Sequence, residues 1–290
     1  MHVKYILKRI FFYKKAILII SLILLVFSCQ TVKTGIIKEY KGEPIYRELL
    51  SHKTISDKKI ELFWTKPPGT GPWPVVIFLH GHQESPRNGG SAFLGSLGRL
   101  AQAWRAVIAA VSQPGYGNSD GPSDFCGPFS QDAIIQSINF LRKKSFIKPD
   151  KVALYGISRG AIVASMVATK DSNLAAIILI SGSYDLAKAF PTGLSGLDEN
   201  IRAEAGTSEK AFQDRSAIQH ADKIKSAVLI LHGADDDRFN PKIAEMFASS
   251  LKEHGVETEL VIFPNTGHNI PLKKRGAYTG PFLKKHLENQ

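Results

Sequence analysis

The sequence predicts an α/β protein with one doubly wound, mostly parallel sheet. Three observations support this fold class. Seven short runs are apolar enough to be buried strands, helix-like segments separate most of them, and 290 residues with 43% hydrophobic and 22% charged content can bury a sizeable core. Because strands and helices alternate, we expect right-handed crossovers within one sheet. The sequence shows no internal repeat and no linker that would divide the folded part.

The strand-like runs are the clearest part of this pattern. From the second run onward they are almost unbroken apolar, as expected of parallel strands covered on both faces. We predict strands at residues 60–64, 75–79, 106–111, 151–155, 175–180, 227–231 and 259–263. We predict helices at residues 91–104, 129–144, 159–169, 241–254 and 276–288. These elements predict one folded domain over residues 44–290.

The interval between the fifth and sixth predicted strands, from residue 181 to 227, is too long for a simple crossover. Its part rich in Gly and Pro follows the end of a strand, where ligands of open α/β sheets bind. We therefore expect a small lid at about residues 184–222. The alternative is a surface excursion with no functional role.

The N-terminus predicts a targeting segment. A basic stretch precedes the apolar run at residues 16–27, which fits the ~7–15 residues of a signal-peptide core and is shorter than the ~20 that span a bilayer. Cys29 follows this run in the stretch LVFSCQ, which resembles the lipobox of bacterial lipoproteins. The resemblance implies a signal peptide at residues 1–28, lipidation of Cys29 and a mobile tether at residues 29–43. The alternative is an uncleaved signal anchor.

This resemblance also implies a location. A lipidated Cys29 would hold the protein at a membrane outside the cytoplasm, on the bacterial cell envelope. Because residue 30 is Gln rather than Asp, the outer membrane is expected in an organism that has one. Cys126 would then have no disulfide partner, and we expect it to be a packing residue.

The net charge of +11 invites a nucleic-acid partner, but its distribution argues against one. Five of the basic residues lie in the N-terminal stretch without an acidic residue beside them. Short basic clusters at residues 273–275 and 284–285 have no interleaved aromatic side chains and suit a solvated helix face. We therefore expect no nucleic-acid partner.

A serine between two glycines, Gly156-Ile157-Ser158-Arg159-Gly160, lies where a predicted strand changes into a helix. It fits the G-x-S-x-G pattern of a nucleophile elbow, in which a strained turn lifts the serine hydroxyl above the sheet. The N-terminal amides of the following helix point at the same place. The pattern alone is weak, so the strand, turn and helix around it carry the prediction.

A serine hydroxyl is a poor nucleophile at neutral pH, so it needs a base, and the base needs a carboxylate to orient it. On this architecture the acid and the histidine should follow later strands, in that order. After the strand at residues 227–231, Asp235, Asp236 and Asp237 compete for the role of the acid. After the last predicted strand, His268 is the candidate base.

These motifs resemble the α/β-hydrolase fold, and within it the prolyl oligopeptidase catalytic domain and the dienelactone-hydrolase-like serine hydrolases. The resemblance covers about residues 57–289 and rests on FLHGHQESP, PGYGNSDGP, YGISRG, SAIQHADKIKSAVLILHGADDD and FPNTGHNI. In that family the catalytic aspartate follows the His-Gly pair of the late strand by a short fixed step. The resemblance therefore implies a triad of Ser158, His268 and Asp236.

The developing oxyanion needs two hydrogen-bond donors. One should be the backbone N–H of Arg159, the residue after the nucleophile. The segment HGHQ resembles the oxyanion turn of the family, which implies the backbone N–H of His82 as the other. The Arg159 side chain is left with two possible roles: binding a substrate carboxylate or pairing with an acidic neighbour.

His80 and His82 form an H-x-H pair, so a metal has to be considered. A metallo-hydrolase pattern would continue with Asp-His, whereas this chain continues with Gln83 and Glu84. No second cluster has ligand spacing in the sequence. We therefore expect no metal and no other cofactor.

The predicted reaction is hydrolysis of a small-molecule ester or a short peptide through an acyl-enzyme. The propeller of prolyl oligopeptidases, with ~40–50 residues per blade, does not fit in the roughly 50 residues before the resemblance begins. This favours a small-molecule or carbohydrate esterase, and the alternative is a prolyl-oligopeptidase-like serine peptidase. A third interpretation is an inactive hydrolase fold kept as a surface-tethered binding module, against which the presence of all three triad candidates argues.

Overall fold

The computed structural model describes residues 34–53 and 57–288. The predicted fold class is confirmed, because these residues form a nine-stranded, mostly parallel sheet with helices on both faces. The strands are β1 (Gly35–Tyr40), β2 (Glu43–Ser51), β3 (Lys59–Thr65), β4 (Trp73–Leu79), β5 (Val107–Val111), β6 (Ile147–Ile157), β7 (Ala176–Ile180), β8 (Ala227–Gly233) and β9 (Thr258–Phe263). The α-helices are α1 (Leu94–Trp104), α2 (Pro128–Arg142), α3 (Arg159–Ala168), α4 (Leu186–Ala189), α5 (Ser195–Glu204), α6 (Glu209–Gln213), α7 (Pro241–Glu253) and α8 (Leu272–Glu288), and short 3-10 helices lie at Gly89–Phe93 and Ala217–Lys223.

The strands lie in the order β1-β2-β3-β5-β4-β6-β7-β8-β9. Strands β4 to β9 pair in parallel, whereas β1, β2 and β3 pair antiparallel at one edge, with β3 antiparallel to β5. The chain changes direction across the sheet at β4, which has β5 on one side and β6 on the other. Ligands of open α/β sheets bind beyond the carboxyl ends of the strands at such a reversal. The loops after β4 and β6 are therefore the place where a site is expected.

The sheet separates two apolar layers. Successive side chains of a strand face opposite sides, so on β4 Val75, Ile77 and Leu79 face one layer while Val76 and Phe78 face the other. Helices α2, α3 and α7 cover the first layer, and α1 and α8 cover the second. The central strands are buried on both sides, which explains why their sequences are unbroken apolar runs.

Strands β1 and β2, which pair antiparallel at one side of the sheet, are not predicted from the sequence. Their residues are mostly half-buried or exposed, and charged side chains interrupt the apolar ones. Strand β1 lies inside the range predicted as a tether, residues 29–43, and pairs with β2. This part of the range is a paired strand rather than a tether, so the folded domain begins before residue 44.

The signal peptide predicted at residues 1–28 and the lipidation predicted at Cys29 lie outside the described residues, so both stay predictions. Among the residues that are described, no helix is long and apolar enough to cross a membrane. The expected attachment to a membrane therefore depends on the N-terminal sequence.

The segment predicted as a lid, at about residues 184–222, forms α4, α5, α6 and most of the second 3-10 helix. It leaves the sheet at the carboxyl end of β7 and returns at β8. Side chains at its centre line a cavity near Ser158, and they include Leu194, Leu197 and Asn200. We call residues 184–222 the inserted segment below.

Candidate active site

Ser158 lies at a sharp turn between β6 and α3. Its φ and ψ are 53° and −116°, a conformation with positive φ that non-glycine residues rarely adopt and that recurs at functional sites. The turn is held by a hydrogen bond from the Ser158 N–H to the carbonyl oxygen of Ile180 on β7, 2.7 Å long. Ser158 is therefore fixed at the carboxyl end of the sheet and directly before a helix, the geometry predicted for a nucleophile elbow.

Two glycines make room for this turn. A Cβ on Gly156 would overlap the carbonyl oxygen of Gly160, and a Cβ on Gly160 would overlap the carbonyl oxygen of Leu79 on β4. Because these are backbone atoms, they cannot rotate away as a flexible side chain would. The G-x-S-x-G spacing thus reflects the close approach of α3 to β6 and β4.

Replacing Gly160 with alanine is expected to lower the free energy of unfolding by about 2–3 kcal/mol, because the added Cβ overpacks against backbone. Gly276 in α8 is the matched control, since an added Cβ there would have no described atom within 4 Å. Gly276→Ala should instead stabilise the chain by roughly 0.5–1 kcal/mol through its higher helix propensity. Urea unfolding followed by circular dichroism measures both variants, and equal stabilities would contradict this account of the turn.

The structure brings Ser158, His268 and Asp236 together from three loops. His268 Nε2 lies 2.9 Å from Ser158 Oγ, and His268 Nδ1 lies 2.9 Å and 3.0 Å from Asp236 Oδ2 and Oδ1. Because Nδ1 faces a carboxylate, it carries the ring proton, and Nε2 accepts a hydrogen bond from the serine hydroxyl. The Ser181 hydroxyl donates to the His268 carbonyl oxygen at 2.8 Å and holds this loop. Such an arrangement can accept the proton of Ser158 as its oxygen attacks a carbonyl group.

The structure also distinguishes the three consecutive aspartates. Asp236 is the one that contacts His268, and its carboxylate is fully buried. Asp235 and Asp237 are exposed. The aspartate implied by the family resemblance is therefore the one that the fold directs towards the histidine.

The Asp236 carboxylate is held by four groups. The backbone N–H groups of Arg238 and Phe239 donate to Oδ1 at 2.9 Å and 3.1 Å. His232 Nε2 lies 3.0 Å from Oδ2, on which His268 also converges. Burial would raise the pKa of Asp236, but the hydrogen bonds from His232 and His268 hold it well below its ordinary value. Asp236 is therefore ionised at neutral pH.

The two segments predicted to supply oxyanion donors both adjoin Ser158. Arg159 is the first residue of α3, where helix N–H groups have no partner within the helix. The loop that carries His82 passes beside the serine, because a Cβ on Gly81 would lie 3.3 Å from the Ser158 Cβ. The amides of Arg159 and His82 thus belong to the two stretches of chain that flank the hydroxyl.

His80 supports this loop from below rather than pairing with His82. Its Nδ1 donates to the Gly81 carbonyl at 2.8 Å, and its Nε2 accepts from the Gln113 N–H at 3.0 Å. Burial lowers the pKa of His80 to about 4, so the ring is neutral at physiological pH. The His82 ring has a different partner, because its Nδ1 lies 3.1 Å from the Tyr116 hydroxyl. Across residues 34–53 and 57–288, no group of three or more His, Cys, Asp or Glu side chains is arranged to hold a metal ion.

A cavity of about 290 Å³ opens beside Ser158. The inserted segment forms one wall, and the domain beneath it forms the other. The lining is mixed: its apolar side chains are Phe125, Ile162, Leu194, Leu197 and Phe239, and its polar and charged ones include His82, Glu84, Arg159, Asn200 and Arg238. The serine hydroxyl therefore faces a space that offers both apolar and charged contacts to a bound molecule.

The Arg159 side chain pairs with an acidic neighbour from the inserted segment. Its Nη1 lies 2.5 Å from Glu204 Oε2, and the Arg159 side chain is buried while that of Glu204 is 10% exposed. The Phe125 N–H donates to the same carboxylate oxygen at 3.1 Å. The guanidinium carbon lies 5.3 Å from the centres of the Tyr116 and Phe125 rings. Of the two roles that the sequence leaves open for this side chain, the structure shows the pairing with an acidic residue.

Cys126 is completely buried in the layer beneath α3. Burial raises the pKa of its thiol to about 12, so the reactive thiolate is not populated near neutral pH. The thiol donates to the Arg159 carbonyl oxygen at 3.2 Å. This environment agrees with the packing role expected from the sequence.

Sequence reasoning does not identify His232 or Glu204 as part of the site. His232 belongs to the His-Gly pair that locates the acid, so the sequence marks its position without indicating its contact to Asp236. Glu204 lies 45 residues from Arg159 in the chain, at the last position of α5, and no motif marks it. Its contact with Arg159 follows from the path of the inserted segment, which the sequence does not reveal.

Comparison with known proteins identifies a family. The model of the prolyl oligopeptidase family matches residues 129–289, which is more than half of the 290 residues. Among curated proteins, the chain is similar to acylamino-acid-releasing enzyme 2 from Oryza sativa subsp. japonica, with 27% identity over 237 residues, 74% of this chain and 30% of that protein. The chain spans about a third of the length of such relatives.

Solved structures share its fold over most of the chain. A puromycin-hydrolyzing peptidase from Mycobacterium tuberculosis superposes with a TM-score of 0.72 and 18% identity, covering 86% of this chain and 40% of that one. Acetyl xylan esterase 1 from a Thermoanaerobacterium species superposes with a TM-score of 0.69 and 14% identity, covering 88% of this chain and 89% of that one. At such identities the likeness establishes the α/β-hydrolase fold.

Proposed function

Because the chain belongs to the prolyl oligopeptidase family and is a serine hydrolase, we propose that Ser158 is its nucleophile, His268 its general base and Asp236 the residue that orients His268. The continuous contact from Asp236 through His268 to Ser158 is the observation that carries this proposal. It also argues against the inactive binding module, because an inactive fold has no need to keep these three side chains in register.

In the proposed mechanism, Ser158 Oγ attacks the acyl carbonyl carbon while His268 Nε2 accepts the hydroxyl proton. The amides of Arg159 and His82 stabilise the negative oxygen of the tetrahedral intermediate. His268 then gives the proton to the leaving group, and an ester between Ser158 and the acyl group remains. A water molecule, deprotonated by His268, attacks this ester and releases the acid and the free serine.

For the substrate we propose a small-molecule or carbohydrate ester with a small, uncharged acyl group. The apolar side chains that line part of the cavity beside Ser158, which has a volume of about 290 Å³, support an uncharged acyl group. Glu204, a mostly buried carboxylate near the cavity, is already paired with Arg159. Its other oxygen, Oε1, lies 3.8 Å from Arg87, so the free α-ammonium group of an unblocked peptide would have to compete with two guanidinium groups for this carboxylate.

The alternative substrate is a short peptide whose N-terminus is acylated. It is favoured by the family to which the chain belongs and by its similarity to a rice protein named as an acylamino-acid-releasing enzyme. An acylated N-terminus is uncharged, so the pairing of Glu204 does not argue against it. The two candidates differ in the bond that is cleaved, an ester or an amide, and in the acyl group, which for the peptide is an N-acylated amino acid.

Rates on matched chromogenic substrates separate the two candidates. We would measure kcat/KM for p-nitrophenyl acetate and butyrate and for the p-nitroanilides of alanine and N-acetylalanine. Each rate is divided by the uncatalysed rate, because nitrophenyl esters are intrinsically reactive. The esterase proposal expects the larger enhancement on the esters and the smallest on alanine p-nitroanilide. A larger enhancement on N-acetylalanine p-nitroanilide would favour the peptidase instead.

A further inference from the structure

We propose that His232 is a positioning residue of the triad, whose Nε2–H holds the Asp236 carboxylate in the orientation in which it meets His268. This inference rests on the proposed roles of Asp236 and His268. The His232 side chain lies behind the triad and is not among the residues that line the cavity.

The contacts of the His232 ring define which nitrogen acts. His232 lies near the end of β8 and is completely buried. Its Nε2 is 3.0 Å from Asp236 Oδ2 and 3.0 Å from the Phe239 carbonyl oxygen. Both neighbours are acceptors, so Nε2 carries the ring proton and shares it between them: it donates a hydrogen bond to the Phe239 carbonyl oxygen and lies at ion-pair distance from the Asp236 carboxylate. The His232 ring thus links the end of β8 to Phe239, near the end of the following loop, and to the Asp236 carboxylate between them.

The two oxygens of the Asp236 carboxylate are held by different means. Oδ1 accepts from the backbone amides of Arg238 and Phe239, which are part of the loop itself. Oδ2 accepts from two imidazole rings, those of His232 and His268. Without His232, one edge of the carboxylate would depend on His268, the group that has to be oriented. His232 is therefore the anchor of Oδ2 that does not take part in proton transfer.

The second nitrogen of the ring gives an independent reason to assign a function. His232 Nδ1 is buried, and no partner for it is present among the described residues. A buried polar atom without a partner costs stability. An apolar side chain at this position would avoid that cost, whereas it would lose the contact from Nε2 to Asp236. The ring is thus unfavourable for packing and favourable for holding the carboxylate.

Few ionisable groups surround this contact. Among the described residues, the contacts of the Asp236 carboxylate with ionisable side chains are those with His232 and with His268 from the loop after β9. Tyr184 from the inserted segment is close enough for the Asp236 charge to raise its pKa, in addition to the larger rise caused by burial. Asp235, Asp237 and Arg238 on the same loop are exposed. A change at His232 should therefore act on activity through Asp236 and His268.

Two variants of the full chain test the proposal. His232→Met keeps an unbranched side chain of comparable length without a donor, and His232→Gln keeps an N–H donor near the position of Nε2. For His232→Met we expect kcat/KM on p-nitrophenyl butyrate to fall roughly 10- to 100-fold, mainly through a lower kcat. A loss of this size corresponds to one hydrogen bond to a charged group. His232→Gln should recover most of this loss. His254→Met, at an exposed histidine that follows α7, is the matched control.

The pH dependence gives a second readout that a packing defect would not change. Without the His232 donor, the charge on Asp236 is less dispersed and holds a proton on His268 more strongly. The acid limb of the kcat/KM profile should therefore move to higher pH in His232→Met and stay near its wild-type position in His232→Gln. A folded His232→Met protein with the wild-type rate and acid limb would overturn the proposal, as would a His232→Gln protein as impaired as His232→Met.

Two further measurements keep the test decisive. Ser158→Ala is assayed in parallel, because turnover that survives this change refutes the proposed function and not the role of His232 alone. Nitrogen-15 NMR of histidine-labelled wild-type protein reports the tautomer without any variant that has to fold. The proposal expects a proton on Nε2 of His232 and none on Nδ1. The opposite tautomer would refute it.

Discussion

Replacing Ser158 with alanine should reduce kcat for p-nitrophenyl butyrate by a factor on the order of 10⁶, because the variant lacks the oxygen that forms the acyl-enzyme. What remains would come from binding and from the oxyanion donors. The same change should abolish labelling by a fluorophosphonate probe, and mass mapping of the wild-type adduct should locate it on the peptide that contains Ser158.

Ser165 provides the matched control for this experiment. It lies in the same helix, α3, is buried, and donates to the carbonyl oxygen of Ile162 rather than to His268. Ser165→Ala should retain labelling and turnover. Turnover by Ser158→Ala at the level of Ser165→Ala would show that the reaction does not use the elbow serine.

Replacing Asp236 with asparagine should lower kcat by about 10⁴-fold, because an amide cannot hold the His268 ring with its proton on Nδ1 or stabilise the imidazolium that forms. The chain supplies its own controls in the two neighbouring aspartates. Asp235→Asn and Asp237→Asn remove the same charge from exposed positions and should change kcat by no more than roughly twofold. Steady-state rates of the three variants on one ester substrate make the comparison.

The outcome of this series also tests how the acid was assigned. A larger fall in Asp237→Asn than in Asp236→Asn would mean that the loop rearranges when substrate binds. Equal, small effects in all three variants would mean that His268 is oriented without a carboxylate. Either result would contradict the triad as we propose it.

The parts of the fold that the sequence predicts are those specified by local rules. The central strands are buried on both faces, so their sequences are unbroken apolar runs. The turn at Ser158 needs small residues on both sides because backbone atoms approach there, which leaves two glycines as a visible mark. His268 follows the last strand as the one histidine at that strand end, and the step from the His-Gly pair to Asp236 is short enough to read directly.

The parts that it does not predict depend on contacts between distant segments. Strand β1 lies at the edge of the sheet and β2 next to it, both have mixed side chains, and only their pairing makes them regular. The link from Glu204 to Arg159 depends on the path of the inserted segment, which no motif in the sequence specifies. The contact of His232 with Asp236 arises because the loop after β8 folds back on itself, a feature of backbone geometry rather than of residue order.

The ion pair between Glu204 and Arg159 has a consequence for how this scaffold can be altered. One partner belongs to the inserted segment and the other to the helix that starts at the nucleophile, so the two regions form one electrostatic unit. A replacement segment designed to reshape the cavity would have to bring a carboxylate to the same place. Without it, a cation would be left buried one residue from the serine. Exchange of segments between relatives is therefore constrained by charge as well as by shape, and Arg159 and Glu204 should be transferred together.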